Sequence, residues 1–466
     1  MSISARTDGG ATVASADQSN RLYRAIWRWH FYAGLLVIPI VVVLSITGAL
    51  YLFRTELDHL LYKSLMVVEV PTASTPSAAA LPASVLVEAA ARTVPEGTVT
   101  RYVPPATPTS SAEIGIKDGQ GEAISVYVDP YDGAVLGELT DANKFMKVVR
   151  RIHGELMIGK IGDRIVELAA CWTLILTLTG LYLWWPRRAG VWGTLLPRLH
   201  AGGRVFWKDL HAVCGFYTAG FIIFLVISGL PWSGYWGQLL TQIANKTGTG
   251  YPAQVWDDVP VSTVPTGAKV TVPWTLEQAP MPLSTMTSGS AERIGIDRIV
   301  DIATAQNIAA GYEVTFPDGP TGVYTASVFP SDPAQDATLH IDQYSGKILA
   351  DLRFPQFGAI AKPVEYGVAL HMGGYFGLAN QLILLAVCLA LIGSCVTAAI
   401  MWWQRRPAGR LGAPALPRNL KMAKGLILLI VVLGVLFPLA GISLVAVLLL
   451  DWLVIQRVPV LRTVIN

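Results

Sequence analysis

The sequence predicts an α-helical integral membrane bundle of four core spans plus a C-terminal hydrophobic helix or hairpin. Two small α+β domains are expected outside the bilayer, and the whole is expected to have arisen by internal tandem duplication. Three observations predict this: long runs without charged residues, two short loops crowded with basic residues, and a set of motifs that recurs in both halves. Of 466 residues, 52% are hydrophobic and 14% charged, a balance rarely found in a soluble globular chain of this length.

Runs free of Asp, Glu, Lys and Arg cover Phe31 to Phe53, Leu168 to Trp185, Ala212 to Trp232, Leu378 to Trp403 and Gly425 to Leu450. Each can cross about 30 Å of hydrocarbon. Tryptophans cluster at their ends (Trp27 and Trp29, Trp184 and Trp185, Trp232 and Trp236, Trp402 and Trp403), where rings suit the lipid headgroup level. Arg187, Arg188, Arg198, Arg204 and Lys208 crowd one short loop, and residues 404–424 hold six basic residues and no acid. Both loops are assigned to the cytoplasm, together with Arg21, Arg24 and Arg28 ahead of the first span.

The expected order is a cytoplasmic tail (1–28), a first span (29–54), an outer domain (55–152), and a second span with its outer lead-in (153–186). A cytoplasmic loop (187–208), a third span (209–232), an outer linker (233–294) and a second outer domain (295–370) follow. A fourth span with lead-in (371–403), a cytoplasmic loop (404–424), a fifth hydrophobic run (425–455) and a tail (456–466) complete the chain. The first span is too long for the core of a signal peptide and is read as an anchor. The fifth run contains Pro438 and exceeds one bilayer thickness, so a kinked helix or a hairpin is expected. All four cysteines fall within spans, and no C-x-x-C-H is present, so any haem has to be held without covalent attachment.

The repeat organises the chain. His30, Gly34 and Thr47-Gly48 in the first span have the spacing of His211, Gly215 and Ser228-Gly229 in the third. His153 leads to Trp184-Trp185 at the spacing by which His371 leads to Trp402-Trp403. Outside the membrane, Val128-Asp129-Pro130-Tyr131-Asp132-Gly133 matches Ile341-Asp342-Gln343-Tyr344-Ser345-Gly346. Each turn follows a helical pattern and alternating apolar stretches, so each outer segment reads as a helix on a small antiparallel sheet.

The topology puts His30 and His211 near the cytoplasmic face, and His153 and His371 near the outer face. Two histidines at each face suit two bis-imidazole haem sites, and two axial histidines leave no open iron position, which favours electron transfer. Gly34 and Gly215 lie one turn after their histidines, where a flat cofactor needs a missing side chain; glycine also serves plain helix packing. Zinc fits less well, because acidic or thiolate partners are missing nearby. Arg150 and Arg151 beside His153 could pair with haem propionates or form a solvated cluster. His59 follows the first span and could serve the outer site, with a surface residue as the default, while His200 and His340 are expected in a loop and in a strand.

These motifs, Trp27-Arg28-Trp29-His30 with Gly34, Thr47-Gly48, Leu210-His211 with Gly215, His371-Met372-Gly373-Gly374 and the duplicated turns, resemble the PepSY-associated transmembrane proteins over about residues 21–455. The resemblance implies a multi-pass protein of the bacterial inner membrane with PepSY-like periplasmic domains, of the type that includes ferric-siderophore reductases. It implies two non-covalent haem b groups held by His30, His211, His153 and His371. It also implies a haem-dependent oxidoreductase that reduces a ferric siderophore or other ferric chelate in the periplasm.

No dinucleotide fingerprint follows a strand and no cytoplasmic domain is large enough for a flavin, so the electron donor is expected to be a quinol, a reduced flavin or a separate reductase. The catalytic residues are left open, the lipid membrane is the surrounding partner, and no nucleic-acid partner is expected. Two rival readings are a membrane-anchored binding or regulatory module and a chelate transporter.

Overall fold

The computed structural model describes residues 8–71, 79–186, 190–252, 259–285, 292–408, 410–412, 431–450, 453 and 457. Arg187 and Arg188, most of the 404–424 loop and the first six residues of the fifth run lie outside them. The chain divides into a helical unit (residues 1–49, 152–236 and 383–466) and a sheet unit (residues 50–151 and 237–382).

Four helices of the described chain are long and apolar enough to cross a membrane. They are Leu22–Leu52 within α1 (Asp8–Leu52), α6 (Lys160–Trp184), α7 (Gly203–Gly229) with its extension to Trp232, and α11 (Leu378–Arg405). Within the helical unit they pack through small and branched side chains, with Val37, Val41, Ala169 and Cys395 in one cluster and Cys171, Leu174, Leu230 and Phe437 in another. Several polar residues inside the spans are spent on backbone groups. Thr173, Thr177 and Thr218 each donate to the carbonyl four residues earlier, and the buried Glu167 accepts from the Tyr235 and Trp236 N–H groups at 2.7 and 3.1 Å.

In the fifth run the helical path breaks at Phe437, ahead of α12 (Pro438–Leu450), which belongs to the helical unit. The turn is sharp: a β-carbon on Gly441 would lie 2.8 Å from the Cα of Gly434. Only glycine permits that approach, and the described part of the run folds back as a hairpin does.

The sheet unit begins with the short helices α2 (Arg54–Leu61) and α3 (Lys63–Met66). The first outer segment then gives α4 (Ala83–Ala91), β1 (Thr98–Val103), β2 (Ala112–Lys117), β3 (Ala123–Val128), β4 (Val135–Thr140) and the start of α5 (Phe145–Glu155). The second gives α8 (Trp236–Lys246), β5 (Val261–Pro265), β6 (Pro280–Pro282), α9 (Ile296–Ala305), β7 (Glu313–Thr315), β8 (Val323–Val328), β9 (Ala337–Asp342), β10 (Ile348–Arg353) and α10 (Ala361–His371).

Two separate small sheets are expected from the sequence. Instead, β1 pairs with β7 through Arg101–Thr315 and Tyr102–Val314, and the strands form one eight-stranded antiparallel sheet in the order β10-β9-β8-β7-β1-β2-β3-β4. The physical reason is that β1 and β7 would each be an open edge, and pairing them removes both. One core fills the face under α4 and α9, with Leu86, Ala90, Ile114, Val126, Ile299, Ala303, Leu339 and Ile341 fully or almost fully buried. The Asp297 carboxylate ties the two helices together, accepting from Ser84 N at 3.0 Å and Ser84 Oγ at 2.5 Å.

The matched turns take one shape. Asp129 Oδ1 accepts from Tyr131 N at 2.8 Å and Asp342 Oδ1 from Tyr344 N at 3.0 Å, while Gly133 and Gly346 adopt φ of 74° and 71°. That left-handed conformation explains the glycine in each. The described residues of the 233–294 segment supply α8, the β5–β6 hairpin and, from its middle, Val270, Val272, Leu276 and Ala279, which bury the other face of β10 at Ala350 and Leu352. Its scatter of Pro, Thr and Gly hides this, because the apolar positions are too widely spaced to show a period.

Leu339 is fully buried at the centre of the sheet core. Leu339→Ala is expected to cost about 2–5 kcal/mol, read as a lower denaturation midpoint of the sheet unit by near-ultraviolet circular dichroism.

Candidate functional site

His30 and His211 start their spans, on α1 and α7, and both are half-buried in the helical unit. They lie within electrostatic reach of each other. His30 Nδ1 is 2.9 Å from Thr179 Oγ1, near the end of α6. The Thr179 hydroxyl already donates to Ile175 O at 2.8 Å, so its oxygen is left to accept, and the ring proton belongs on Nδ1. His211 Nδ1 meets Ser394 O at 3.0 Å and Thr397 Oγ1 at 3.3 Å on α11. A carbonyl can only accept, which assigns the same tautomer. In both rings Nε2 keeps its lone pair and has no hydrogen-bond partner among the described residues.

His153 repeats the arrangement farther along α1. Its Nδ1 is 2.9 Å from Thr47 Oγ1, whose hydroxyl donates to Val43 O at 2.7 Å. Burial holds this imidazole below its usual pKa, so the ring is neutral at neutral pH. By the rise of an α-helix, Thr47 stands roughly 25 Å along α1 from His30. His371 ends α10 in the sheet unit and is half-buried, beside the left-handed Gly373. The structure therefore brings His30 and His211 together within one unit and places His153 and His371 in different units.

Glycine shapes the ring positions. A β-carbon on Gly180 would meet His30 Cε1 at 3.3 Å, and one on Gly48 would meet His153 Cε1 at 3.4 Å. One on Gly34 would meet only Leu176 Cδ2 at 3.9 Å, and one on Gly215 would meet nothing within 4 Å. Open space thus borders α7 one turn from His211, whereas at Gly34, one turn from His30, Leu176 is in van der Waals contact. The residues fit a haem: two imidazoles present Nε2 lone pairs, each with a glycine one turn away on its helix. A bare metal ion lacks further ligands, since no group of three His, Cys, Asp or Glu side chains converges among the described residues.

Arg150, expected as a propionate contact, is exposed on α5, while Arg151 is half-buried beside it. His59 and His200 are exposed, and His340 is fully buried in β9, where its Nδ1 meets Thr325 Oγ1 at 2.9 Å.

The profile of the PepSY-associated TM region matches residues 27–405, most of the chain and all four spans. The chain belongs to the PepSY-associated transmembrane family. Comparison with curated proteins returns no match. Family membership and the four apolar helices together make this a multi-pass membrane protein.

For this PepSY-associated protein, sequence reasoning missed Thr179, Ser394 and Thr397 as histidine partners. A signal was present: Thr179 follows His153 at the spacing by which Thr397 follows His371, and Thr47 follows His30 as Ser228 follows His211. Thr179→Val preserves the shape but leaves the His30 Nδ1–H without an acceptor. For a haem held by this pair, the expected effect is about 10–100-fold weaker binding, measured as haem retained per chain at limiting haem. Thr177→Val, which loses only a bond to its own helix, is the control that retains the wild-type ratio.

Proposed function

We propose that the protein is a di-haem transmembrane electron carrier of the bacterial inner membrane that reduces a ferric chelate, most simply a ferric siderophore, on the periplasmic side. The observation that carries the reading is the pair His30 and His211, each with its Nδ1–H satisfied, its Nε2 without a partner among the described residues and a glycine one turn away, with open space at Gly215. A haem b held by the two imidazoles would supply reversible one-electron chemistry. The chain's part is to present neutral rings in a fixed tautomer and to keep the ligand helices in register. His153 and His371 are the proposed ligands of the second haem on the sequence repeat alone.

One electron converts the ferric chelate to its ferrous form, which hard oxygen donors hold less well, so the iron is released. A quinol, a reduced flavin or a reductase on the cytoplasmic side supplies the electron. With the inside negative, outward passage of an electron is favoured by roughly 2.3 kcal/mol per 100 mV. The transporter reading gains no support from Glu167, the buried acid of α6, because both its oxygens are committed to backbone N–H groups.

The test is the visible spectrum of the purified protein, oxidised and dithionite-reduced, with a pyridine haemochrome count. The expected result is two b haems per chain, one of them lost in His30→Ala and in His211→Ala. In vesicles with reductant inside and ferric chelate outside, the wild type is expected to yield ferrous iron and His211→Ala only the background rate. A protein that stays colourless after haem is supplied during expression would overturn the proposal.

A further inference from the structure

The two halves of the sheet treat buried acids in opposite ways. In the first, Glu113 accepts from Ser125 Oγ at 2.8 Å and from Lys144 Nζ at 2.9 Å, and it pairs with Arg101. Asp141 accepts from Ser125 Oγ at 2.6 Å, with Lys144 at 3.1 Å and Lys147 also paired to it. Cations answer both acids, and both carboxyls titrate below their ordinary range because of these partners, despite the opposing pull of burial.

In the second half, the matched turns put Thr338 at the place of Ser125. Here Asp336 is 2% exposed and Glu365 fully buried, and the two carboxyls are within electrostatic reach of each other. Both oxygens of Asp336 and Oε2 of Glu365 lack a hydrogen-bond partner among the described residues. The remaining oxygen, Glu365 Oε1, accepts only from backbone N–H, with Thr275 N at 3.3 Å. The other charged groups acting on the pair are Asp332 and Glu277, both acids. Lys362, one turn before Glu365, gives its ammonium to Pro355 O at 2.9 Å.

Two buried, unanswered hydroxyls accompany the pair, one beside Glu365 through its own N–H and one next to Asp336 in the chain. Thr275 is 1% exposed; its N–H faces the Glu365 carboxylate, and its Oγ1 has no partner among the described residues. Thr338 is fully buried, two residues after Asp336 and hence on the same strand face, and its Oγ1 is likewise without a partner. Burying such atoms unanswered is costly, and burying two carboxylates side by side costs more.

We propose that the sheet unit binds a hard divalent cation of calcium's class between the Asp336 and Glu365 carboxylates, with the Thr275 and Thr338 hydroxyls as further oxygen donors. The cation does for these acids what Lys144 does for Glu113 and Asp141. An all-oxygen donor set without thiolate or imidazole selects calcium-like ions over zinc or copper, and calcium's flexible coordination suits ligands gathered from a 3-10 turn, a strand edge and a helix. The site would brace α10, the helix that ends at His371. It does not depend on the haem reading.

Terbium reports such a site when a neighbouring indole sensitises it, and Trp274, 2% exposed, precedes Thr275. In the detergent-solubilised full chain freed of metal with EDTA, Tb3+ is expected to give saturable emission on tryptophan excitation, displaced by Ca2+. Asp336→Asn and Glu365→Gln are each expected to remove it. Ca2+ at a hundredfold excess over its Kd is expected to raise the melting midpoint by about 5–10 °C. Trp274→Phe guards against a folding artefact: it should lose the emission and keep the calcium-induced shift.

Absence of saturable emission together with a melting midpoint indifferent to Ca2+ and EDTA would overturn the site and leave a pair that shares protons only.

Discussion

An imidazole on a membrane-spanning helix has to spend its N–H inside the protein, because lipid offers no acceptor, and this constraint orders the helical unit. Thr179 and Thr47 meet it by donating their own hydrogens to carbonyls of their own helices, which turns each hydroxyl into a pure acceptor. The result is reciprocal. His30 of α1 rests on Thr179 of α6, and His153, just ahead of α6, rests on Thr47 of α1. A slip of one residue between these helices would move each pair by about 1.5 Å and 100° and break both bonds. The contacts that fix the tautomers therefore also fix the register.

The spans were legible because lipid imposes a simple composition rule, and the repeat drew attention to the four histidines and the glycines because weak motifs recur at equal spacings. The partner hydroxyls were not. A threonine that back-bonds to its own helix is common in membrane helices, and only the equal spacing of Thr179 and Thr397 from the histidines ahead of them sets these two apart. Half of the pattern differs in detail: Gly180 makes room for the His30 ring, whereas the residue after Thr397 is Ala398, and His211 instead takes the Ser394 carbonyl.

The outer segments show the limit from the other side. Strands, helices and turns could be read from alternation and from the Asp-x-x-x-Gly spacing, yet the joining of β1 to β7 could not. Pairing between distant edges leaves no local period. Nor could the role of Val270, Val272 and Leu276 be read from an irregular stretch whose burial is decided by the sheet it covers. The difference between Lys144 among its acids and the cation-free surroundings of Asp336 was equally hidden, since it depends on which strands become neighbours.

Charge placement joins these parts to the proposed activity. In the helical unit the described acids near the spans are neutralised locally: Asp209 by the Arg198 guanidinium at 2.6 and 2.9 Å, and Glu167 by backbone N–H groups and Arg164 at 3.5 Å. Beside His30 the fixed charge is positive. The Arg405 guanidinium lies 4.8 Å from the Phe31 ring and 5.2 Å from that of Trp27, with Arg204 within electrostatic reach. Positive charge with no acidic partner among the described residues, next to imidazoles in surroundings of low dielectric, favours arrival of an electron there more than the same charge would in water. On the proposed reading the cytoplasmic end is thus built to accept an electron, and the membrane potential, which acts on the electron only once it is inside the bilayer, completes the outward bias.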